Sequence, residues 1–152
     1  MKDQFTHTIS TIQNNAIQLA TKKATAGFDG FVDTIVRVIK NKEENKEPEF
    51  FNTINDYGTY ITAKSGSSFS LEYKEIHTKL GGNMPITANA LAQMGVHVNC
   101  IGALGNSGIH PVFKNLPSNC GLYSFTNPGT AIAYEFADGK MILSPMDELN
   151  RL

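Results

Sequence analysis

The apolar residues of the first twenty positions follow a helical pattern. They recur every three or four positions, at Phe5, Ile9, Ile12, Ala16 and Leu19. This spacing places them along one face of an α-helix. Two lysines follow at positions 22 and 23, and positive charge suits the carboxyl end of a helix because of the helix dipole. The pattern predicts an amphipathic N-terminal helix that ends near residues 22 and 23.

A strand-like segment comes next, over residues 24–39, and it contains two acidic side chains, Asp29 and Asp33. Its β-branched and aromatic residues favour a strand, and the glycines at 27 and 30 indicate a bend at a site. An ionised carboxylate in an apolar strand needs hydrogen-bond donors. The hydroxyls of a polyol are such donors, and a spacing of four allows both carboxylates to face the same side. Alternatively, Asp29 and Gly30 form a turn and Asp33 caps nearby backbone.

The pattern of the middle of the chain predicts a charged connection, a short helix and a half-exposed strand. Residues 41–48 are charged, and residues 50–61 have apolar positions at helical spacing before a turn at 64–68. Apolar and polar residues then alternate from 69 to 77, which is typical of an antiparallel strand with one face exposed. This strand is a candidate for part of a lid.

Two glycines and an asparagine, Gly81, Gly82 and Asn83, directly precede an amphipathic helix that runs to Gly95. Glycine can take positive φ and let a ligand approach the backbone, and asparagine can cap the first free N–H groups of a helix. The donors and the positive end of this helix would then face a bound polar molecule. A plain loop with an ordinary helix cap explains the same residues equally well.

The last third predicts further strands around glycine-containing loops. Residues 96–103 read as a buried strand that leads into a loop at 104–110, and strands follow at 121–125 and 130–136. Asp138-Gly139 suits a hairpin turn into a strand at 140–143, and Pro145 opens a final helix. Alternating helices and strands predict an α/β sheet with crossovers, to which the hairpin strands add antiparallel pairing.

Composition excludes several classes of protein. The chain has 152 residues, a formal net charge of -1 and no basic stripe, so we expect no nucleic-acid partner. It contains no apolar run of signal-peptide or membrane-spanning length, which predicts a cytoplasmic protein without a membrane partner. Cys100 and Cys120 lack metal-ligand spacing, and the four histidines are scattered, so we expect free thiols, no metal site and no histidine-activated nucleophile.

Two glycine-containing segments differ from the known nucleotide-binding motifs. The pair Lys64-Ser65 follows Ala63, whereas a phosphate-binding loop requires glycine before the lysine. The segment 102–108 lacks the glycine spacing of the dinucleotide fingerprint, and no acidic ribose contact follows it at the expected distance. We therefore expect neither a Walker-type site nor a nicotinamide cofactor in this chain.

Taken in order, these segments resemble the N-terminal half of the ribokinase-like sugar kinases, the PfkB family. Residues 27–35 resemble the opening strand of the family, in which Asp33 matches the substrate-binding aspartate. The form Gly-Phe-Asp is closer to the ADP-dependent branch, where a polar residue like Asp29 also occurs. Residues 81–95 are similar to the first signature of the family, although Ile86 replaces its usual second asparagine. Residues 130–143 resemble the strand pair that crosses an Asp-Gly turn.

The resemblance implies an α/β fold, a ribokinase-like three-layer sheet with helices on both faces and a small antiparallel β lid. Residues 1–152 would be the N-terminal part of one kinase domain, with lid elements within 34–80 and 121–143. The family's Asp-Thr-x-Gly-Ala-Gly-Asp motif, which supplies the anion hole and the general base, does not occur in this sequence. The fold is therefore expected to be incomplete, without the nucleotide-binding part and without a catalytic residue.

The resemblance also implies a function, the transfer of the ATP γ-phosphate to a sugar hydroxyl by the complete protein. The acceptor, a sugar or related alcohol, would be held by Asp29, Asp33, Gly81, Gly82 and Asn83. ATP and Mg²⁺ are expected only for the complete enzyme, so we expect this chain alone to bind neither and to be inactive. A homodimer through the lid strands or an exposed sheet edge is expected.

Two alternatives to a kinase part remain open. The first is a non-catalytic sugar-binding or protein-interaction module that has half of this fold. It would be a well-behaved monomer, whereas a cut sheet would aggregate or dimerise. The second is a glycoside hydrolase that uses Asp29 and Asp33 as its carboxylate pair, and it is weaker because the chain has no Trp to line a sugar cleft.

Overall fold

A computed structural model describes residues 2–145, which form two compact units. In chain order the elements are α1 (Lys2–Leu19), β1 (Lys23–Ala26), β2 (Phe31–Asn41), β3 (Glu49–Phe50), α2 (Ile54–Ala63), β4 (Tyr73–Gly81), α3 (Asn83–Gln93), β5 (His97–Gly102), a 3-10 helix (Pro111–Asn115), β6 (Cys120–Ser124), β7 (Gly129–Phe136) and β8 (Gly139–Leu143). The predicted final helix after Pro145 lies outside the described residues. Within residues 2–145, no helix is both long and apolar enough to cross a membrane.

The first unit, called here the parallel unit, comprises residues 2–31 and 80–129 of the described chain. Its sheet has the order β1-β5-β6, and both pairs of strands are parallel. Helix α3 packs on this sheet through its buried residues Met84, Ala88 and Ala92. The crossover from β1 to β5 therefore brings α3 onto one face, as parallel strands require. The predicted N-terminal helix is confirmed as α1, but it ends at Leu19 rather than near residues 22 and 23, and Lys23 already belongs to β1. The side chains of α1 from 4 to 15 are exposed.

Burial alternates along β5, which the sequence predicts as a fully buried strand. Val98 and Cys100 point into the core, whereas Asn99 and Ile101 are exposed. The reason is that α3 covers only one face of the sheet. The α/β class is thus confirmed as a partial fold, in which the described helix layer lies over one side of a three-stranded sheet.

The two cysteines are free thiols, as predicted. Burial raises the pKa of Cys100 to about 11, and the neighbouring Cys120 adds to this shift. Burial also raises the pKa of Cys120, which the hydrogen bond with Cys100 partly offsets. Both thiols are therefore protonated near neutral pH, and the buried Cys100 serves as a small apolar side chain of the core.

The second unit, called here the antiparallel unit, comprises residues 32–79 and 130–145 of the described chain. Its strands have the order β3-β2-β7-β8, and β4 also pairs with β2. The predicted hairpin is confirmed, since Phe136 pairs with Gly139 across the turn. Asp138 in that turn accepts a hydrogen bond from the Ile54 N–H at 3.0 Å, and Thr53 caps α2 through the Asp56 N–H. The hydrogen bond from Ile54 to Asp138 therefore joins the start of α2 to the turn between β7 and β8.

Aromatic residues form the core of the antiparallel unit. Phe51, Val38 and Phe136 are buried, and the rings of Tyr57 and Tyr60 pack edge-on against Phe51 at 5.4 and 5.2 Å between centroids. Aromatic pairs favour this edge-to-face arrangement because the ring edge is positive and the face negative. The core of this unit thus depends on the volume and shape of ring side chains.

Three sequence predictions about strands differ from the structure. Residues 24–39 form two strands, β1 and β2, that belong to different sheets, because the chain bends at residues 27–30. The strand predicted at 69–77 is β4 at 73–81, and its residues 73–79 are all exposed rather than alternating. The strand predicted at 121–125, among the lid elements, is β6 at Cys120–Ser124, which pairs in parallel with β5. Local patterns do not reveal which partner strand a segment joins.

Candidate functional site

The loops at the carboxyl ends of β1, β5 and β6 meet in the parallel unit. The Phe28 carbonyl accepts a hydrogen bond from the Ala103 N–H at 3.1 Å, and the Gly30 carbonyl accepts one from the Gly129 N–H at 2.9 Å. These two bonds join the loop after β1 to the loops after β5 and β6. In open α/β sheets, ligands bind outside the carboxyl ends of the strands. This edge is therefore the candidate site.

Two glycines allow these loops to approach closely. A Cβ atom at Gly102 would lie 2.7 Å from the Phe28 carbonyl oxygen and equally close to Cε of Met84. A Cβ atom at Gly30 would overlap the Ala103 carbonyl oxygen. Backbone atoms occupy both positions, and backbone moves less readily than the end of a side chain. The site therefore depends on the absence of side chains at these glycines.

Ser124, at the end of β6, connects the loops after β5 and β6. Its Oγ accepts a hydrogen bond from the Leu104 N–H at 2.9 Å. The same hydroxyl lies 3.2 Å from the Gly102 carbonyl oxygen and 3.0 Å from that of Thr126, and it donates its proton to one of them at a time. Sequence reasoning missed this residue, although a polar residue that ends an apolar strand is a usable signal.

The glycine loop at 104–110 is closed by backbone bonds. The His110 N–H donates to the Leu104 carbonyl at 2.7 Å, and Gly105 takes a φ of 139° that favours glycine. Asn127 accepts from the Asn106 N–H at 3.0 Å. The ring of His110 accepts from the Val112 N–H and so caps the 3-10 helix. This histidine has a structural role, as the sequence predicts for scattered histidines.

The turn between β4 and α3 contains the predicted Gly-Gly-Asn motif. Gly81 is the last residue of β4 and is buried, and Gly82 is the helix N-cap with φ 92° and ψ 149°. Only glycine adopts this backbone conformation readily, so the positive φ predicted for Gly82 is confirmed. Asn83 is the first residue of the helix, and the cap has no side-chain hydrogen bond. The prediction that Asn83 caps the helix is wrong because Gly82 holds the cap position.

Asp29 caps α3 in place of Asn83. Its Oδ2 accepts a hydrogen bond from the Asn83 N–H at 2.6 Å, and its Oδ1 accepts one from the Met84 N–H at 2.7 Å. Both bonds are short, as expected when the acceptor is charged. The carboxylate also lies at the positive end of the helix dipole, which stabilises it. Neither interpretation of Asp29 from the sequence included this cap, which comes from 54 residues earlier in the chain.

The N–H groups of Asn83 and Met84 in the first turn of α3 are occupied. Asp29 takes the donors of Asn83 and Met84, Pro85 has no N–H, and the Ile86 N–H donates to the Gly82 carbonyl at 3.3 Å. The N-cap Gly82 and the residues Asn83, Met84 and Pro85 hold the four positions that a helix leaves without an internal N–H partner. The expectation that this helix offers its backbone donors to a ligand is therefore wrong for Asn83 and Met84, because the Asp29 carboxylate accepts from both.

Two predicted site residues keep unpaired polar groups. The side chain of Asn83 is exposed and forms no hydrogen bond with any residue that the structure describes. Asp33 lies in β2 of the antiparallel unit, where it is half-buried and has no hydrogen bond or ion pair within residues 2–145. The two aspartates thus differ, since the carboxylate of Asp29 is occupied and that of Asp33 is not.

The residues that could bind metal ions are dispersed. In the part of the chain that the structure describes, no three His, Cys, Asp or Glu side chains form a group that could hold a metal ion. Among the acidic side chains, Glu135 has a lowered pKa because it forms a hydrogen bond with Lys140. This pair lies at the surface of the antiparallel unit.

Comparisons with known proteins agree with this arrangement. The sequence profile of the prokaryotic ketohexokinase family matches residues 4–152. A ketohexokinase of Haloferax volcanii is 27% identical over 131 residues, which are 83% of this chain and 34% of that protein. A carbohydrate kinase structure from Agrobacterium tumefaciens superposes with a TM-score of 0.51 at 18% identity, over 84% of this chain and 36% of the other.

These matches cover most of this chain but only part of the relatives. The chain spans about a third of the length of the ketohexokinase and of the carbohydrate kinase that it matches. The structural likeness shows that the ribokinase-like fold is present as a part, and the predicted resemblance to that family is confirmed. The match of the profile over nearly all of its residues shows that the chain belongs to the prokaryotic ketohexokinase family.

Proposed function

We propose that this chain is the acceptor-binding part of a carbohydrate kinase that phosphorylates a hydroxyl group of a ketohexose. Membership of the ketohexokinase family supports the substrate class, and the related protein from Haloferax volcanii carries the same name. The reaction belongs to the complete protein, because the chain covers 34% of that relative. We expect no turnover by the 152-residue chain alone, whose sequence lacks the motif that carries the general base.

The observation that carries this proposal is the unpaired amide of Asn83 beside the Gly82 turn. Asp29 binds the backbone N–H groups of Asn83 and Met84, so the backbone that carries this amide is held in the Gly82 turn. An amide side chain can both donate to and accept from sugar hydroxyls. We propose that Asn83 contacts the acceptor and that Gly81 and Gly82 let it approach the backbone.

The family resemblance also assigns Asp33, a residue of the antiparallel unit, to acceptor binding, and this assignment is proposed separately from that of Asn83. Its carboxylate is half-buried and lacks a partner among residues 2–145. A carboxylate without a donor is costly to bury, and a sugar hydroxyl would supply that donor. The sequence predicts that Asp29 binds the acceptor together with Asp33. We propose instead that Asp29 supports acceptor binding indirectly, because its carboxylate holds the backbone at the start of α3.

ATP and Mg²⁺ are proposed as ligands of the complete protein. Phosphoryl transfer depends on positioning of the phosphates and on charge neutralisation by metal ions. Among residues 2–145, no group of three His, Cys, Asp or Glu side chains could hold a metal ion. Residues 2–145 would contribute the residues that bind the acceptor and the Gly81-Gly82 turn beside them.

Calorimetric titration of the chain with D-fructose tests the acceptor site. We expect Asn83→Ala to weaken binding up to about tenfold and Asp33→Asn by about 10 to 100-fold, because one contact is neutral and the other charged. Asn55→Ala is the matched control, since Asn55 is exposed on α2. Unchanged affinity in both site variants would refute the assignment of the site.

A coupled assay tests the reaction itself. The complete protein with ATP, Mg²⁺ and fructose is expected to form a fructose phosphate, and the 152-residue chain is expected to form none. Fructose binding without phosphorylation by the complete protein would favour the non-catalytic sugar-binding module. Robust turnover by the short chain would contradict the proposed location of the general base.

The exposed β4 strand supports the proposal of a homodimer. Its residues 73–79 are exposed, and they include the large apolar side chains Tyr73 and Ile76. An exposed strand with apolar side chains is a common pairing surface. Sedimentation of the native chain and of Ile76→Lys separates a dimer through this strand from a monomer.

A further inference from the structure

We propose that helix α1 is a self-association surface, through which two copies of this chain pair by their N-terminal helices. The partner is a second copy, and the contact is the apolar stripe that contains Phe5, Ile9 and Ile12. This inference is independent of the proposed function. It also concerns a different surface from β4, whose residues 73–79 belong to the antiparallel unit.

The stripe is a row of large apolar side chains that nothing covers within the described chain. Phe5, Ile9 and Ile12 are 66%, 54% and 64% exposed, and all side chains from 4 to 15 are exposed. Single exposed apolar residues are common on protein surfaces, but a row of large ones marks an interaction site. Helix α1 thus presents to solvent the face that a helix normally buries.

The sequence of α1 makes the helix dependent on such a contact. Residues 4–15 include six Ser, Thr or Asn residues, which are poor helix formers. The hydroxyls of Thr8 and Ser10 donate to carbonyls of their own helix, at Gln4 and His7. Packing of an apolar face supplies most of the stability of helices in proteins. The stripe of α1 therefore needs a partner that buries it.

The spacing and the charge of the stripe fit an identical helix. Its positions 5, 9, 12, 16 and 19 alternate steps of four and three, which is the heptad pattern by which two helices interlock. Residues 4–21 contain no Asp, Glu, Lys or Arg, so two copies can approach without repulsion between like charges. His7 is two positions from Phe5 and therefore lies away from the stripe.

Two other occupants fit the stripe less well. The sheet face that α3 leaves uncovered carries the exposed side chains of Lys23, His97 and Asn99. Residues 20–22 join α1 to β1, so a helix folded back over this face would bury these polar groups, which is costly without partners. A membrane surface fits less well because residues 4–21 lack the Lys and Arg by which amphipathic helices bind anionic lipid.

Sedimentation velocity over a dilution series tests the inference. The chain carries Ile76→Lys throughout, so that pairing through β4 does not contribute, and we expect a dimer that dissociates on dilution. Adding Ile12→Lys should weaken this dimer at least about 100-fold, because each dimer loses two buried isoleucines. Thr11→Lys is the matched control, since it places the same charge beside the stripe, and it should leave the dissociation constant unchanged.

Ile12→Ala separates pairing from the intrinsic stability of the helix. Alanine is the better helix former, so an independent helix would gain amide protection against hydrogen exchange. We expect the opposite, a loss of protection in residues 5–15 together with at least about tenfold weaker pairing. Unchanged amide signals of α3 and β5 would show that the parallel unit stays folded in this variant.

Nuclear Overhauser contacts in a mixture of isotope-labelled and unlabelled copies identify the partner. We expect contacts between the apolar side chains of α1 in one copy and those of α1 in the other. A monomer at all concentrations, or a dimer that Ile12→Lys leaves unchanged, would overturn the inference. Contacts from α1 to Ile101 or Tyr123 of the uncovered sheet face would overturn it as well. So would binding of a monomeric chain to phosphatidylglycerol vesicles in place of self-association.

Discussion

The parallel and antiparallel units are stabilised in different ways. In the antiparallel unit, rings pack around Phe51, and no glycine is needed at the centre of this cluster. At the strand ends of the parallel unit, backbone groups contact one another directly around Gly30 and Gly102, and polar side chains close the remaining gaps. The first arrangement depends on side-chain volume, and the second depends on the absence of side chains and on the direction of hydrogen bonds.

This difference teaches where each unit tolerates change. A ring cluster can lose shape complementarity gradually, because neighbouring side chains relax into part of the space. A backbone carbonyl that faces a glycine cannot move without shifting its own strand or loop. We therefore expect the removal of side-chain atoms to destabilise the core of the antiparallel unit most. We expect the addition of atoms to destabilise the strand ends of the parallel unit most.

The largest effect is expected from removal of a ring in the antiparallel unit. Phe51→Ala leaves a cavity among Tyr57, Tyr60 and Phe136, and it should lower the free energy of unfolding by about 3–5 kcal/mol. Urea denaturation followed by tyrosine fluorescence measures the loss. Phe125→Ala removes an exposed ring of the parallel unit and should cost far less. Equal losses in both variants would show that the ring cluster is not the core.

Adding one methyl group at the parallel strand ends should have the next largest effect. Gly30→Ala places a Cβ against the Ala103 carbonyl oxygen, and we expect a loss of about 2–3 kcal/mol from the strain. Gly58→Ala is the control, because a Cβ on α2 at that position meets no atom within 4 Å. Alanine is also the better helix former, so the control should gain up to about 1 kcal/mol. Thermal unfolding of both variants shows whether Gly30→Ala lowers the unfolding temperature and Gly58→Ala raises it.

Removal of a single hydroxyl tests the polar contacts of the parallel unit. Ser124→Ala removes the shorter of the two hydrogen bonds of the Leu104 N–H and leaves the one to the Gly102 carbonyl at 3.1 Å, so we expect a loss of about 1 kcal/mol. Amide hydrogen exchange should accelerate at Leu104 and Gly105 and stay unchanged in α2. Ser70→Ala, at an exposed position, is the control. Unchanged exchange at Leu104 would mean that Ser124 does not hold the loop.

The smallest effect is expected at the surface of the antiparallel unit. Lys140→Ala removes the partner that lowers the Glu135 pKa, so that pKa should rise towards its usual value. In the native chain, the lowered pKa of Glu135 stabilises the fold at pH values above the pKa that Glu135 has in the unfolded chain. This contribution disappears as the pH falls through the pKa that Glu135 has in the folded chain. The pair is exposed, so the unfolding midpoint at neutral pH should hardly change. An NMR titration of Glu135 checks the shift, and a large change of the midpoint would contradict it.

The short-range elements of the fold were predictable from local signals. The apolar spacing of α1, the glycine start of α3 and the Asp-Gly turn between β7 and β8 all act over a few residues. The choice of partner strand for β6 was not predictable in this way, because the residues that cover a strand are remote in sequence. The exposure along β4 has the same explanation.

The residue types of the candidate site were predictable from the sequence, but the hydrogen bonds between them were not. Gly82 was identified correctly as a position for positive φ, since a backbone requirement is visible in the residue type. Asp29 was identified as a functional carboxylate but with the wrong partners, and Asn83 was assigned the cap that Gly82 holds. The bond between Asp29 and α3 spans 54 residues, and no local pattern encodes it.

By itself, the sequence determined the family of this chain and the residue types of its acceptor site, because glycines and carboxylates carry their backbone freedom and charge wherever they lie. The tertiary structure decided what each of these groups meets. It directed the Asp29 carboxylate onto the first amides of α3 and left the amide of Asn83 unpaired. Hydrogen bonds depend on distance and direction between remote residues, and only the folded chain sets these.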